Sequence, residues 1–123
     1  MIEKGLSYSV STLVDAPKTA KAMGSGDMDV FATPAMVALM ENAAMQAVAA
    51  VLPEGSATVG TLINVQHMRA TPLGEIVTAQ ATLVEVDGRR LLFEVSASDA
   101  KGAIGGGTHE RFVVDRERFL SKL

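Results

Sequence analysis

A chain of 123 residues, 48% of them hydrophobic, suits one domain spanning residues 1–123, with a core large enough to need no covalent staples. Its net charge of −3, from 11 basic and 14 acidic residues, leaves no footprint for nucleic acid or for an anionic membrane. The absence of cysteine excludes a disulfide framework and a thiolate metal site, and fits a reducing, cytoplasmic setting.

The opening MIEKGLSYSV has polar and acidic residues where a signal peptide needs an apolar run, so no leader is expected. Leu6 to Val14 alternates and is rich in β-branched residues, which predicts a first strand. Asp15 to Asp29 contains Pro17, Gly24 and Gly26 and reads as a connection, with a short helical turn around Thr19 to Met23. A long helix is predicted over Thr33 to Leu52, TPAMVALMENAAMQAVAAVL: Thr33 can cap an orphan N–H, Pro34 suits the first turn, and Pro53 stops the ladder.

After the turn PEGSA, Thr58 to Arg69 reads as a strand. Alternation puts Thr61, Ile63, Val65, His67 and Arg69 on one face; Ile63 and Val65 mark it as the inner one, so His67 is expected to point toward the helix. ATPLGE then turns the chain into a strand from Ile76 to Val86. Asp87-Gly88 signals a tight hairpin into a strand from Arg90 to Ser98. DAKG leads to a last strand, Ala103 to Val114, whose three glycines permit a bend, a bulge or a close ligand approach. The charged tail, Asp115 to Leu123, is expected to close with a helical turn.

Strands joined by short turns must be antiparallel neighbours. The expected fold is therefore α+β, an antiparallel five-stranded sheet wrapped around one long central helix. That helix is apolar on nearly every side, and a sheet covers only one of them. The other is expected to meet the same surface of a second copy, giving a homodimer. Glu41, Asn42 and Gln46 interrupt the apolar run, which marks a core helix and not a membrane span.

Glu41 is the residue that conflicts with burial, since a buried carboxylate is costly unless paired or protonated. It is either satisfied by a helix neighbour, the opposite subunit or a solvent channel, or it is a working carboxylate that attacks a carbonyl or activates water. His67 is either a core histidine bonded to a carbonyl or a partner that orients a carboxylate, polarises a carbonyl or protonates a leaving group. Thr33 is a helix cap, or a hydroxyl that positions water or substrate beside the free N–H groups of the helix start. Thr33 and Glu41 are eight residues apart, about 12 Å along a helix axis. Within one chain they cannot both touch one reacting carbon. Acting together, they require Thr33 of one subunit with Glu41 of the other, or residues beyond the helix that bridge them.

VFATPAMVALMENAA, GTLINVQHMRATPLGE, VDGRRLLFEVSASD and IGGGTHERFVV resemble the fluoroacetyl-CoA thioesterase-like family of hotdog-fold proteins, from about Val30 nearly to the C-terminus. The resemblance implies hydrolysis of an acyl-CoA thioester to the acid and coenzyme A, with Thr33, Glu41 and His67 as the catalytic set. It places Gly60 and Arg111 at the acyl site, and Phe31 stays at the helix start as a further substrate contact. Family members carry a gate of phenylalanines before the helix. Here that segment reads AMGSGDMDVFA, so a small or short-chain acyl group is expected rather than a fluoroacetyl one. Met23, Met28, Met36 and Met40 either line an adaptable pocket or fill the core. Arg69, Arg89 and Arg90 are solvated or reach coenzyme phosphates. No cofactor is expected beyond the coenzyme A of the substrate, and with two histidines and no cysteine no metal site. The alternatives are a hydratase or dehydratase of acyl thioesters on the same fold, and a non-catalytic acyl-CoA or small-ligand binding protein.

Overall fold

The computed structural model describes residues 1–123. Five strands, β1 (Ser7–Leu13), β2 (Ser56–His67), β3 (Ile76–Asp87), β4 (Arg90–Asp99) and β5 (Gly102–Asp115), accompany three helices: α1 (Ala20–Met23), α2 (Thr33–Ala49) and α3 (Arg116–Ser121). The strands form one antiparallel sheet in the order β1-β3-β4-β5-β2, so β1 and β2 are its edges. Crossing from β1 to β2 leaves room for a long element, and α2 fills it. It packs chiefly on β1 and β3, burying Met36, Met40, Ala43, Ala44 and Val48.

The inner face of the sheet supplies the other half of the core. Val77, Ala79, Ala81 and Leu83 of β3 alternate inward and meet Leu91, Phe93, Val95 and Ala97 of β4. Gly105 on β5 lies under Met36: a Cβ placed there would stand 2.7 Å from the Met36 sulfur. The glycine thus lets helix and sheet approach closely. Met36 and Met40 are core residues, whereas Met23 and Met28 are exposed.

Three local expectations change. The long helix ends at Ala49, and Ala50 to Leu52 form a turn before Pro53. In the β3–β4 hairpin Asp87 pairs with Arg90, so the two-residue loop is Gly88-Arg89, one position later than expected. In β2 the register shifts between Gly60 and Leu62. This bulge takes Thr61 off the inner face, and its hydroxyl bonds the backbone and side chain of Glu110. Beyond the bulge alternation resumes, and His67 does turn toward the helix.

Candidate functional site

Thr33 is not the helix cap. Ala32 occupies the N-cap without a side-chain bond, and Thr33 and Pro34 begin the first turn. The Thr33 hydroxyl reaches across to β2 instead, with Oγ1 2.8 Å from His67 Nδ1. The remaining ring nitrogen, Nε2, is buried and has no hydrogen-bond partner. Burial pushes the His67 pKa below its ordinary value, against a smaller opposing pull from the Arg69 backbone. A neutral imidazole that accepts from Thr33 through Nδ1 carries its proton on Nε2, a donor with nothing yet to bond.

The helix start is pinned by backbone bonds. Phe31 N–H donates to the Thr71 carbonyl at 2.9 Å, and Ala32 N–H to the Lys18 carbonyl at 2.9 Å. Thr71 is itself held: its hydroxyl donates to Asp99 Oδ2 at 2.7 Å. Arg69 donates to Asp99 through both terminal nitrogens and also to the Gly102 carbonyl. The Asp99 side chain is 1% exposed. Its bonds from Arg69 and then Thr71 lower its pKa to about 2. Arg69 is therefore spent on structure, and so is Arg90, which pairs with Glu110 and Glu85. Arg89 alone of the three remains an exposed residue of the hairpin loop. Phe31 is a core residue, 1% exposed.

Glu41 belongs to a different cluster. Its Oε2 lies 3.9 Å from Arg111 Nη1, and a Cβ on Gly60 would stand 2.9 Å from it. Arg111 is 8% exposed in its side chain, while Glu41 is 41% exposed, so the chain alone does not bury the carboxylate as its neighbours in sequence suggest. Gly60 and Arg111 are cross-strand partners, both facing inward, and the missing side chain at Gly60 is the space the carboxylate occupies. Arg111 donates from Nε to Thr58 Oγ1 at 2.8 Å and from Nη2 to the Thr58 carbonyl at 2.9 Å. Desolvation lowers the Arg111 pKa, and Glu41 opposes that shift.

His109, not expected to take part, stands at the centre of this cluster. It is 1% exposed and sits 3.2 Å from Arg111 Nη1 through Nε2. Its signal in the sequence was its alternation with Arg111, two residues on. Thr58 had no comparable signal, because only the pairing of β2 with β5 brings it to Arg111.

The expected set thus splits in two. Thr33 and His67 meet directly; Glu41, Gly60 and Arg111 meet directly; the two groups sit apart along the inner side of β2. Gly60 and His67 are separated by about 20 Å of strand. None of the main concavities of the single chain is lined by Thr33, Glu41 or His67. The largest, about 840 Å³, lies between Ile2–Lys4 and β3–β4. No group of three or more His, Cys, Asp or Glu is arranged to hold a metal ion, and no helix is long and apolar enough to cross a membrane.

Residues 14–117 match the family model of fluoroacetyl-CoA-specific thioesterases. A fluoroacetyl-CoA thioesterase of Streptantibioticus cattleyicolor is 50% identical over 95 residues, covering 77% of this chain and 68% of that protein. A solved fluoroacetyl-CoA thioesterase superposes with a TM-score of 0.92 at 40% identity, over 99% of this chain and 95% of that one. A Thr-to-Ser variant in complex with acetyl-CoA gives 0.93 at 39% identity, over 98% and 96%. A Thermus thermophilus member of the thioesterase superfamily gives 0.91 at 25% identity, over 99% and 90%. Sheet, helix and sequence agree: the chain belongs to the fluoroacetyl-CoA-specific thioesterase family, hotdog-fold thioester hydrolases.

Proposed function

We propose that the protein hydrolyses a small acyl-CoA thioester at a site shared by two copies of the chain, with Thr33 and His67 from one and Glu41, Gly60 and Arg111 from the other. The observation that carries this reading is the division of the polar groups. The hydroxyl–imidazole pair is complete at 2.8 Å, yet the carboxylate of the same chain lies beside Arg111, about two helical turns away. A second copy related by a two-fold axis brings the two half-sites together.

The surface supports such a contact. The β2 edge exposes Leu62, Ile63 and nearby Met68, and α2 presents Met45 outward, which is the apolar material a homodimer interface needs. Glu41, half open in the single chain, is desolvated by the same contact.

In this site the Nε2–H of His67 donates to the thioester carbonyl and stabilises charge developing on its oxygen. In one route Glu41 takes a proton from the water that attacks the acyl carbon, and that proton goes to sulfur as the carbon–sulfur bond breaks. In the other it bonds the acyl carbon itself, expelling coenzyme A thiolate that takes a proton from solvent; a water then cleaves the acyl–Glu41 anhydride to the acid and the free carboxylate. Thr33 fixes the imidazole tautomer that makes Nε2 the donor. The pre-helix segment from Gly24 to Asp29 is exposed and has no aromatic residue, which favours a short acyl group without fluorine selectivity. The relative solved with acetyl-CoA supports a small acyl chain.

The test is thiol release from acetyl-, fluoroacetyl-, propionyl- and butyryl-CoA by the wild type and Glu41→Ala. Turnover of the short acyl groups that falls at least about a hundredfold in the variant supports the reading. Full-rate hydrolysis by Glu41→Ala overturns the mechanism, and binding without turnover by the wild type makes the protein a ligand-binding module.

A further inference from the structure

The buried imidazole of His109 lies outside the Thr33–His67 pair and is hydrogen-bonded at both ring nitrogens. Nδ1 lies 2.8 Å from the Leu62 carbonyl, a group that only accepts, so Nδ1 carries the proton. A neutral ring then has a lone pair on Nε2, and Nε2 faces Arg111 Nη1 at 3.2 Å. A guanidinium only donates, so the two atoms match in this tautomer and in no other protonation state: an Nε2–H would set donor against donor.

The Leu62 carbonyl stands at the bulge of β2. The register shift between Gly60 and Leu62 breaks regular pairing there, and His109 fills the gap from the neighbouring strand. Phe93 packs beside the ring, with centroids 6.3 Å apart and planes inclined at 30°, which fixes its orientation. Burial and Arg111 keep the ring's pKa below the ordinary histidine value, while the Leu62 carbonyl and Glu41 pull the other way.

Arg111 has five N–H groups. Thr58 takes one from Nε and one from Nη2, and His109 takes one from Nη1. The N–H groups left over lie on the terminal nitrogens, and Nη1 is the nitrogen beside Glu41. We propose that His109 is a positioning residue: locked as the Nδ1–H tautomer by the bulge carbonyl, it accepts from Arg111 and turns the guanidinium's free edge onto Glu41 and the space over Gly60. The β2 bulge, Phe93 and His109 thereby set the direction from which a fixed positive charge meets the acyl group. The link to catalysis rests on the proposed thioesterase reading; the tautomer and the Arg111 contact do not.

Two measurements separate these. Nitrogen-15 spectra of histidine-labelled protein contain two imidazoles, and the one lost in His109→Gln is His109. The expected signal at neutral pH is a neutral Nδ1–H ring with a hydrogen-bonded Nε2; an Nε2–H tautomer or an imidazolium overturns the proposal whatever the activity. The second is a comparison of amide variants. Gln places its amide near the position of Nε2 and keeps an acceptor for Arg111, while Asn reaches only the position of Nδ1 and keeps the bond to Leu62. On thioester hydrolysis His109→Gln should retain kcat within about threefold, and His109→Asn should lose about tenfold or more in kcat with a smaller change in KM. Asn equal to or better than Gln overturns the positioning role and leaves only a structural one. A wild type with no hydrolysis refutes the thioesterase reading alone, and the spectra still decide the tautomer.

Discussion

Replacing Gly60 by alanine adds one carbon in the most crowded spot of the Glu41 cluster. The new Cβ would stand 2.9 Å from Glu41 Oε2, 3.2 Å from His109 Cε1 and 3.4 Å from Arg111 Nη1. Arg111 and His109 are buried and held by Thr58 and Leu62, so the carboxylate is the group that gives way. Restoring an ordinary contact moves it by about 0.5–1 Å, with solvent free to receive it because the side chain is 41% exposed. Stability should barely respond. Lengthening the 3.9 Å pair to about 5 Å removes under about 1 kcal/mol at an effective dielectric near 20, less once solvent screens it. A Gly→Ala change without backbone strain returns about 0.4–1 kcal/mol through the unfolded chain. Catalysis should respond strongly, since a displacement of this size costs about 10–100-fold in rate. Thiol-release kinetics and thermal melts of Gly60→Ala are therefore expected to show kcat down by about 10–100-fold with Tm within a few degrees of wild type. Activity within about threefold of wild type would refute the claim that the carboxylate works from this position.

Thr33→Val should separate the two roles of that residue. Because Ala32 holds the cap position, Tm should move by under about 2 °C, against about 4 °C for loss of a true cap, while kcat falls at least about tenfold. The pH profile carries a defined sign. His67 has a lowered pKa and works as a neutral ring, so kcat/KM should hold through neutral pH and fall only below about 6.5; an acid limb centred above 7 contradicts this. With His67 and His109 both depressed, the unfolded chain binds protons that the folded one excludes. Stability is therefore full above about pH 6.5 and declines as the solution is acidified below it, which melts at pH 7.5 and 5.5 will show. Asp99→Ala should lower Tm at neutral pH and also reduce kcat, because it strands Arg69 and frees Thr71, whose carbonyl holds the start of α2. In the wild type this carboxyl stabilises the fold at all pH values above the ordinary aspartate range, a contribution lost only as pH falls through about 2.

The elements whose signals are local were legible from the sequence. Pro34 and Pro53 bracket α2, and alternation in β3 and β4 defines their inner faces. The inward turn of His67 followed from Ile63 and Val65. What escaped depends on contacts between distant segments. Thr33 reads as a cap because threonine is favoured at that position and proline at the one after it; only the approach of β2 redirects its hydroxyl. The bulge at Gly60 cannot be seen without β5, and Thr61 goes to the wrong face as a result. Arg69 looks like a solvated strand end until Asp99, thirty residues on, folds over it. His109 falls in the same class, since its partners are a carbonyl 47 residues away and an arginine on its own strand.

The claim on which the rest depends is that the reacting groups come from two chains. Thr33→Ala and Glu41→Ala, purified separately and each with its residual rate measured, can be mixed, unfolded together and refolded so that subunits exchange. A mixed dimer would then hold one site with both substitutions and one with neither. Random exchange at equal amounts gives mixed dimers in half the population with one intact site of two, so the mixture should recover about a quarter of wild-type activity. No recovery from a mixture whose subunits demonstrably exchange would place Thr33, His67 and Glu41 of the same chain in one site, and would contradict the account.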